Sequence, residues 1–181
     1  MRLFVALDLP ERLSGDLLDM QDGLGLGREV PEENLHLTLA FLGDCSEQEV
    51  EALHEMLGEL RAPKVRLTVH GAELFGGRRS SFLAALVERV PELLSLHEKT
   101  CQGARMAGIA VPRRRFKPHV TLVRFSNRLP DIAQGRIGAW LGTYGNARLA
   151  QAEAVRFSLY RSHLFEDGPV YEQLAEYPLL S

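Results

Sequence analysis

Two stretches of the chain carry the same four-residue pattern. One is His36-Leu37-Thr38-Leu39 within NLHLTLAFLG. The other is His119-Val120-Thr121-Leu122 within KPHVTLVRF, 83 positions downstream. In a β-strand successive side chains point to opposite faces, so each stretch presents an imidazole and a hydroxyl on one face, roughly 7 Å apart. Leu35, Leu37, Leu39 and Phe41 are expected to share the core face of the first strand, with Ala40 beside His36 and Thr38. Strict alternation puts Val120, Leu122 and Arg124 on the core face of the second, and Val123 with His119 and Thr121. An imidazole titrates near pH 6.5 and can give or take a proton at neutral pH. One protonated and one neutral imidazole make an acid–base pair, and threonine hydroxyls can hold phosphate oxygens. Two imidazoles, two hydroxyls and a guanidinium suit an in-line displacement at phosphorus, where the protein's task is positioning and charge stabilisation. A strained 2′,3′-cyclic phosphate fits such a site. One His-x-Thr on a strand is most simply a structural histidine; two copies on amphipathic strands point to a shared site.

The surrounding pattern must bring the two strands together. RLFVALDL (2–9) reads as a strand, and Pro10 opens a helix to about Leu24. GLGLGRE (23–29) breaks that helix before the strand at 35–42. Ser46 and Glu49 form a capping-box pattern for a helix to about Leu60. KVRLTVHGAELF (64–75) and FLAALV (82–87) read as strands joined by a GGRRSS turn. Pro91 opens a helix ending near Gly108, and the basic run Arg113, Arg114, Arg115, Lys117 leads into the second motif. Residues 130–142 read as short helix and loop, and 147–165 as one long or two short strands. The turn EDGP (166–169) precedes a last strand, 170–179. The motif spacing, close to half the chain, points to an internal duplication of a strand–helix–strand unit, with two lobes facing each other across a cleft.

Bulk composition narrows the class. At 181 residues, 45% hydrophobic and 25% charged, the chain reads as a soluble globular protein. A net charge of −3 argues against broad nucleic-acid binding but not against a local basic site. Arg78 and Arg79 read as a solvated turn. Asp8 breaks the opening apolar run, so no leader is expected there, and no run is long enough to span a membrane. Cys45 and Cys101 have no metal-ligand spacing and are expected to be reduced thiols. His54, His70, His97 and His163 are read as structural or solvated. A metal held by the two histidines is the weaker reading, because no carboxylate or third histidine lies near either in sequence.

The doubled His-x-Thr motif resembles that of the 2H phosphoesterases. MRLFVALDLPE, LHLTLAFLGD, FKPHVTLVRF and LYRSHLFEDGPVYEQLAEYPL resemble, more narrowly, the RNA 2′,3′-cyclic phosphodiesterases, also called 2′-5′ RNA ligases. The resemblance runs from Arg2 to Leu180. It implies an α+β fold formed as one bilobal domain over 1–181. Two pseudo-symmetric lobes, each an antiparallel sheet flanked by helices, would enclose an active-site cleft. It implies hydrolysis of RNA 2′,3′-cyclic phosphate ends to 2′-phosphates, possible reverse 2′-5′ ligation, and no cofactor or metal. It also implies His119 as proton acceptor, His36 as proton donor, and Thr38, Thr121 and Arg124 as phosphate-binding residues. Strict alternation conflicts with the role of Arg124 unless the strand ends or bulges there. Ser162 and Tyr171 fall in the matching C-terminal run and are expected to pack. A cytoplasmic monomer acting on RNA ends, tRNA fragments among them, is expected. A small cyclic substrate such as ADP-ribose 1″,2″-cyclic phosphate, or an RNA-end binding module without turnover, are the other readings.

Overall fold

A computed structural model describes residues 1–180. In chain order the elements are β1 (Arg2–Asp8), α1 (Glu11–Asp22), β2 (Arg28–Glu29), β3 (His36–Asp44), α2 (Glu47–Glu59), β4 (Val65–Leu67), β5 (Val69–Gly76), β6 (Ser81–Val87), α3 (Pro91–Met106), β7 (His119–Phe125), α4 (Asp131–Tyr144), β8 (Ala152–Ala154), β9 (Arg156–Phe165) and β10 (Gly168–Pro178). The local signals act as expected at several places. Ser46 and Glu49 form both halves of the capping box, and Pro91 sits in the first turn of α3. Other segments differ. KVRLTVHGAELF breaks at Thr68 into β4 and β5, because β4 leaves the main sheet to pair with β8. Residues 130–142 form one helix of 14 residues rather than a short helix and loop, anchored by the Trp140 indole donating to the Met20 carbonyl. The expected break at 23–29 contains β2. Gly27 leads into it with φ +70°, where an added Cβ would sit 2.5 Å from the Phe125 ring.

The fold is α+β. Its main sheet is antiparallel throughout and runs β10-β9-β1-β3-β7-β6-β5, with β2 pairing β7. The two halves of this sheet meet through a single register pair, Leu37 with Val120. Elsewhere β3 and β7 are not partnered with each other. Farther along β7, β2 takes the free edge, opposite Val123 and Arg124.

The halves repeat one another residue by residue. Phe4, Ala6 and Asp8 of β1 lie opposite Phe41, Thr38 and His36 of β3. Phe82, Ala84 and Leu86 of β6 lie opposite Arg124, Thr121 and His119 of β7. FVALD (4–8) and FLAAL (82–86) thus occupy equivalent positions, each followed by a proline-opened helix.

Each motif strand also carries an extra residue directly after its His-x-Thr. Val5 pairs with Ala40 and Ala6 with Thr38, so Leu39 has no partner on β1. Leu83 pairs with Val123 and Ala84 with Thr121, so Leu122 has none on β6. These are β-bulges, and each reverses the facing of the residues that follow it, up to a second unpaired residue at Leu42 on β3. A helix from the opposite half supports each one. His97 of α3 lies 2.8 Å from the Leu39 carbonyl through Nδ1, and its ring stacks on Phe116 ahead of the second motif. Gln21 of α1 donates to the Leu122 and Val30 carbonyls at 2.8 and 2.9 Å. Gln21 is 2% exposed and fully enclosed. Replacing it with leucine keeps the volume and removes both donors. Gln21→Leu is expected to cost about 2 kcal/mol in chemical denaturation and to lower catalytic turnover. Unchanged values for both would remove Gln21 from the support of β7.

Candidate active site

The bulges decide which side chains reach the cleft. Phe41, expected with the core leucines, is 68% exposed, whereas Ala40 is buried. Val123, expected beside His119 and Thr121, is likewise buried, and Arg124 is exposed. Alternation fails at the same point in both strands, one residue after each His-x-Thr. The conflict over Arg124 disappears with it, and Phe41 takes the equivalent place on β3.

His36, Thr38 and Phe41 from β3 and His119, Thr121 and Arg124 from β7 line one cleft of about 470 Å³, together with Arg2, Phe4, Ser162, Leu164, Pro169 and Tyr171. All five of the expected site residues are therefore brought together. A roomier hollow of about 660 Å³ between the β5–β6 turn and α4 contains none of them, so size alone does not mark the chemistry. Ser162 and Tyr171 face the cleft, and Tyr171 sets its ring edge-on to His36 at 5.3 Å. Arg113, Arg114, Arg115 and Lys117 are exposed and outside the cleft lining, and of these Lys117 bears on the site through its carbonyl and its charge beside His119. Lys117 pairs with Glu73 and lies 4.7 Å above the Phe75 ring. Among the described residues, no three His, Cys, Asp or Glu side chains gather as metal ligands.

Both imidazoles are oriented alike. His36 Nδ1 lies 2.7 Å from the Asn34 carbonyl, and His119 Nδ1 lies 2.7 Å from the Lys117 carbonyl. A carbonyl only accepts, so in each ring Nδ1 carries the hydrogen and Nε2 holds the lone pair. The Thr38 hydroxyl is 2.9 Å from His36 Nε2 and donates to it. Phe4 and Tyr171 enclose His36; Phe75 and Phe82 stack on His119 at 5.2 and 5.7 Å. Burial is the largest cause holding both rings neutral, and it brings His36 down to about 4. The Asn34 and Lys117 carbonyls oppose this by favouring the protonated ring. Arg124 lowers both values, and Lys117 lowers that of His119 further.

Three supporting residues carry no signal in the motif itself. Asn34 accepts from His36 and also donates to the Pro169 carbonyl at 3.0 Å, tying the β9–β10 hairpin to the start of the motif strand. Phe4 packs on His36, and Asp8 stands opposite it across the β1–β3 pair. Their places in FVALD become meaningful only once the register is known.

Two imidazoles, two hydroxyls and a guanidinium lining one cleft form a donor set suited to holding and protonating a phosphodiester. Residues 7–82 match the family model described as LigT like Phosphoesterase. A Thermus thermophilus protein named RNA 2′,3′-cyclic phosphodiesterase is 33% identical, over 99% of this chain and 90% of its own. Its Escherichia coli namesake is 34% identical over 72% of this chain and 76% of its own. Among solved structures, E. coli LigT in complex with 3′-AMP superposes with a TM-score of 0.75 at 26% identity, covering 99% of this chain and 98% of that one. The chain belongs to the LigT-like phosphoesterases of the 2H superfamily, and it is a phosphodiesterase. No helix is long and apolar enough to cross a membrane.

The depressed histidines have a consequence for stability. The unfolded chain protonates these imidazoles near pH 6.5, while the folded chain resists until lower pH. Their contribution is therefore fully present above about pH 6.5 and is lost as pH falls toward 4. Urea midpoints should decline over that window. His36→Gln should flatten the decline, and an unchanged slope would show that His36 is not held neutral by burial.

Proposed function

We propose that the protein hydrolyses RNA 2′,3′-cyclic phosphate ends to 2′-phosphomonoesters by two-histidine acid–base catalysis without a metal. The observation that carries this reading is the convergence of both His-x-Thr pairs and Arg124 on one cleft, with each Nε2 free of its own ring hydrogen. The substrate class is that named for its relatives, the RNA 2′,3′-cyclic phosphodiesterases.

His119 Nε2 takes a proton from water as its oxygen attacks phosphorus. The bond from phosphorus to the 3′ oxygen breaks, and His36, protonated at Nε2, gives its proton to that oxygen. The products are a 3′-hydroxyl and a 2′-phosphate, and protons are conserved. Thr38, Thr121 and Arg124 hold the non-bridging oxygens. In the empty cleft His36 is neutral, so the phosphate anion itself restores the acid, by offsetting the guanidinium and favouring the imidazolium. With an acceptor 5′-hydroxyl in place of water, the same groups form a 2′-5′ bond as the bond from phosphorus to the 3′ oxygen breaks and that oxygen takes the proton from His36; in water, hydrolysis dominates.

An oligoribonucleotide ending in a 2′,3′-cyclic phosphate, incubated with protein and excess EDTA, should yield only the 2′-phosphate. No turnover, or a 3′-phosphate product, would sink this reading. His36→Ala and His119→Ala should each lower turnover by roughly 10²–10⁴ while the fold survives. Proton uptake provides a third check, read from binding heats in buffers of different ionisation enthalpy. Phosphate binding near pH 7 should take up a fraction of a proton, and affinity should rise as pH falls.

A further inference from the structure

The near-symmetry of the cleft poses a problem. Both motif strands present the same groups with the same backbone, yet an acid–base pair needs one imidazole protonated and the other not. The difference must lie in what surrounds them.

Comparison of equivalent positions locates it. Opposite His36, across the β1–β3 pair, stands Asp8; opposite His119, across the β6–β7 pair, stands Leu86. Side chains directly opposite in an antiparallel pair have Cβ atoms about 4.5–5.5 Å apart, close enough for a carboxylate to favour an imidazolium. Asp8 is held in place. The Tyr160 hydroxyl donates to one of its oxygens, and the Ser158 hydroxyl to the other at 2.6 Å. Gln173 donates to Ser158 at 2.8 Å, which commits the serine hydrogen to Asp8. Arg156 lies 3.4 Å away from the carboxylate. In the other half, Phe75 takes the place of Tyr160, with no hydroxyl. Glu73 takes the place of Ser158, but it is engaged by Lys117. Lys117 in turn supplies a positive charge beside His119, two residues away along the chain.

Among the remaining charged and titratable neighbours, His119 itself disfavours protonation of His36, so the proton reaches His36 only where His119 is kept neutral. Arg124 of β7 disfavours protonation of both. Arg2 lines the cleft at large, and Tyr171 meets His36 by its ring edge.

We propose that Asp8 and Lys117 are positioning residues that break the symmetry of the cleft. With a phosphate anion bound, they place the proton on His36 and keep it off His119. The inference rests on the acid–base reading above and deepens it: the direction of proton flow is set by two charges outside the His-x-Thr motifs. Tyr160, Ser158 and Gln173 serve to fix the carboxylate where it acts.

The test is a histidine-resolved NMR titration in saturating inorganic phosphate, which involves no turnover. Asp8→Asn should lower the His36 midpoint by about one pH unit and leave His119 in place. Lys117→Met should raise the His119 midpoint by a similar amount and leave His36 in place. Tyr160→Phe keeps the charge and removes only one donor, so it should move neither midpoint by more than about 0.3 of a unit. In the pH–rate profile the acid must be protonated, so activity is lost as pH rises past its midpoint. Asp8→Asn should bring that loss about one unit lower. Where Asp8→Asn does not fold, Leu86→Asp tests the idea from the other half by raising the His119 midpoint. A folded Asp8→Asn variant with unmoved His36, or a Leu86→Asp variant with unmoved His119, overturns the proposal. Failure of the wild-type protein to open a cyclic phosphate overturns the functional reading instead, and leaves the titration result standing.

Discussion

The cleft depends on a bulge at the same place in two strands, one residue after each His-x-Thr. Without the bulges at Leu39 and Leu122, Phe41 and Arg124 would point into the core beneath the sheet. A buried, unpaired guanidinium costs several kcal/mol, so a regular β7 with Arg124 in place is not an available structure. A bulge leaves local backbone groups without ladder partners, and those groups must find donors elsewhere. Here the donors come from helices of the opposite half, Gln21 of α1 reaching β7 and His97 of α3 reaching β3. The helices are thus crossed relative to the strands they support. Each half of the site is held in shape by the other half of the chain, and the two repeats are not separable modules.

This crossing explains what could and could not be read from the residues. The motif strands, their core leucines, the capping box and the proline-opened helices rest on local period and local chemistry, and these are visible in any short window. The position of Phe41 rests on a bulge. No bulge signal is present in LHLTLAF, which alternates cleanly throughout. For Arg124 alternation conflicted with its expected role in the site, and the bulge resolves that conflict. Gln21 and His97 look like ordinary helix residues because their partners lie 101 and 58 positions away. Likewise β2 is two residues long inside a glycine-rich break, and only its pairing with β7 makes it a strand.

Burial of the two imidazoles is also a functional choice. A histidine left in open solvent would titrate near 6.5 and be partly charged in the empty enzyme. Enclosure by Phe4 and Tyr171, and by Phe75 and Phe82, keeps both rings neutral until an anion arrives. On the proposed mechanism the cost is an empty site without its acid, in which Arg2 and Arg124 are the fixed positive groups. The gain is selectivity: a neutral ligand cannot restore the imidazolium, whereas a phosphodiester can. In the proposed mechanism, coupling between substrate charge and acid protonation follows from desolvation together with the fixed charges around the ring, without a moving part.

The near-repeat of the two halves accounts for the remaining tension. Two copies of one strand–helix–strand unit give a backbone in which both motifs are equivalent, and FVALD and FLAAL still show the correspondence at Phe4/Phe82 and Ala6/Ala84. Hydrolysis of a diester is not symmetric, because one side loses an alkoxide and the other admits water. The side chains had to diverge where the reaction's two ends differ, and the divergence is concentrated at a few equivalent pairs: Asp8 against Leu86, Tyr160 against Phe75, and Phe41 against Arg124. Two of these pairs differ in electrostatic charge and the third in a hydroxyl that steadies one of those charges. The backbone supplies the same motif geometry twice over, and on the proposed mechanism the asymmetry that gives the reaction a direction lies in residues the shared motif does not contain.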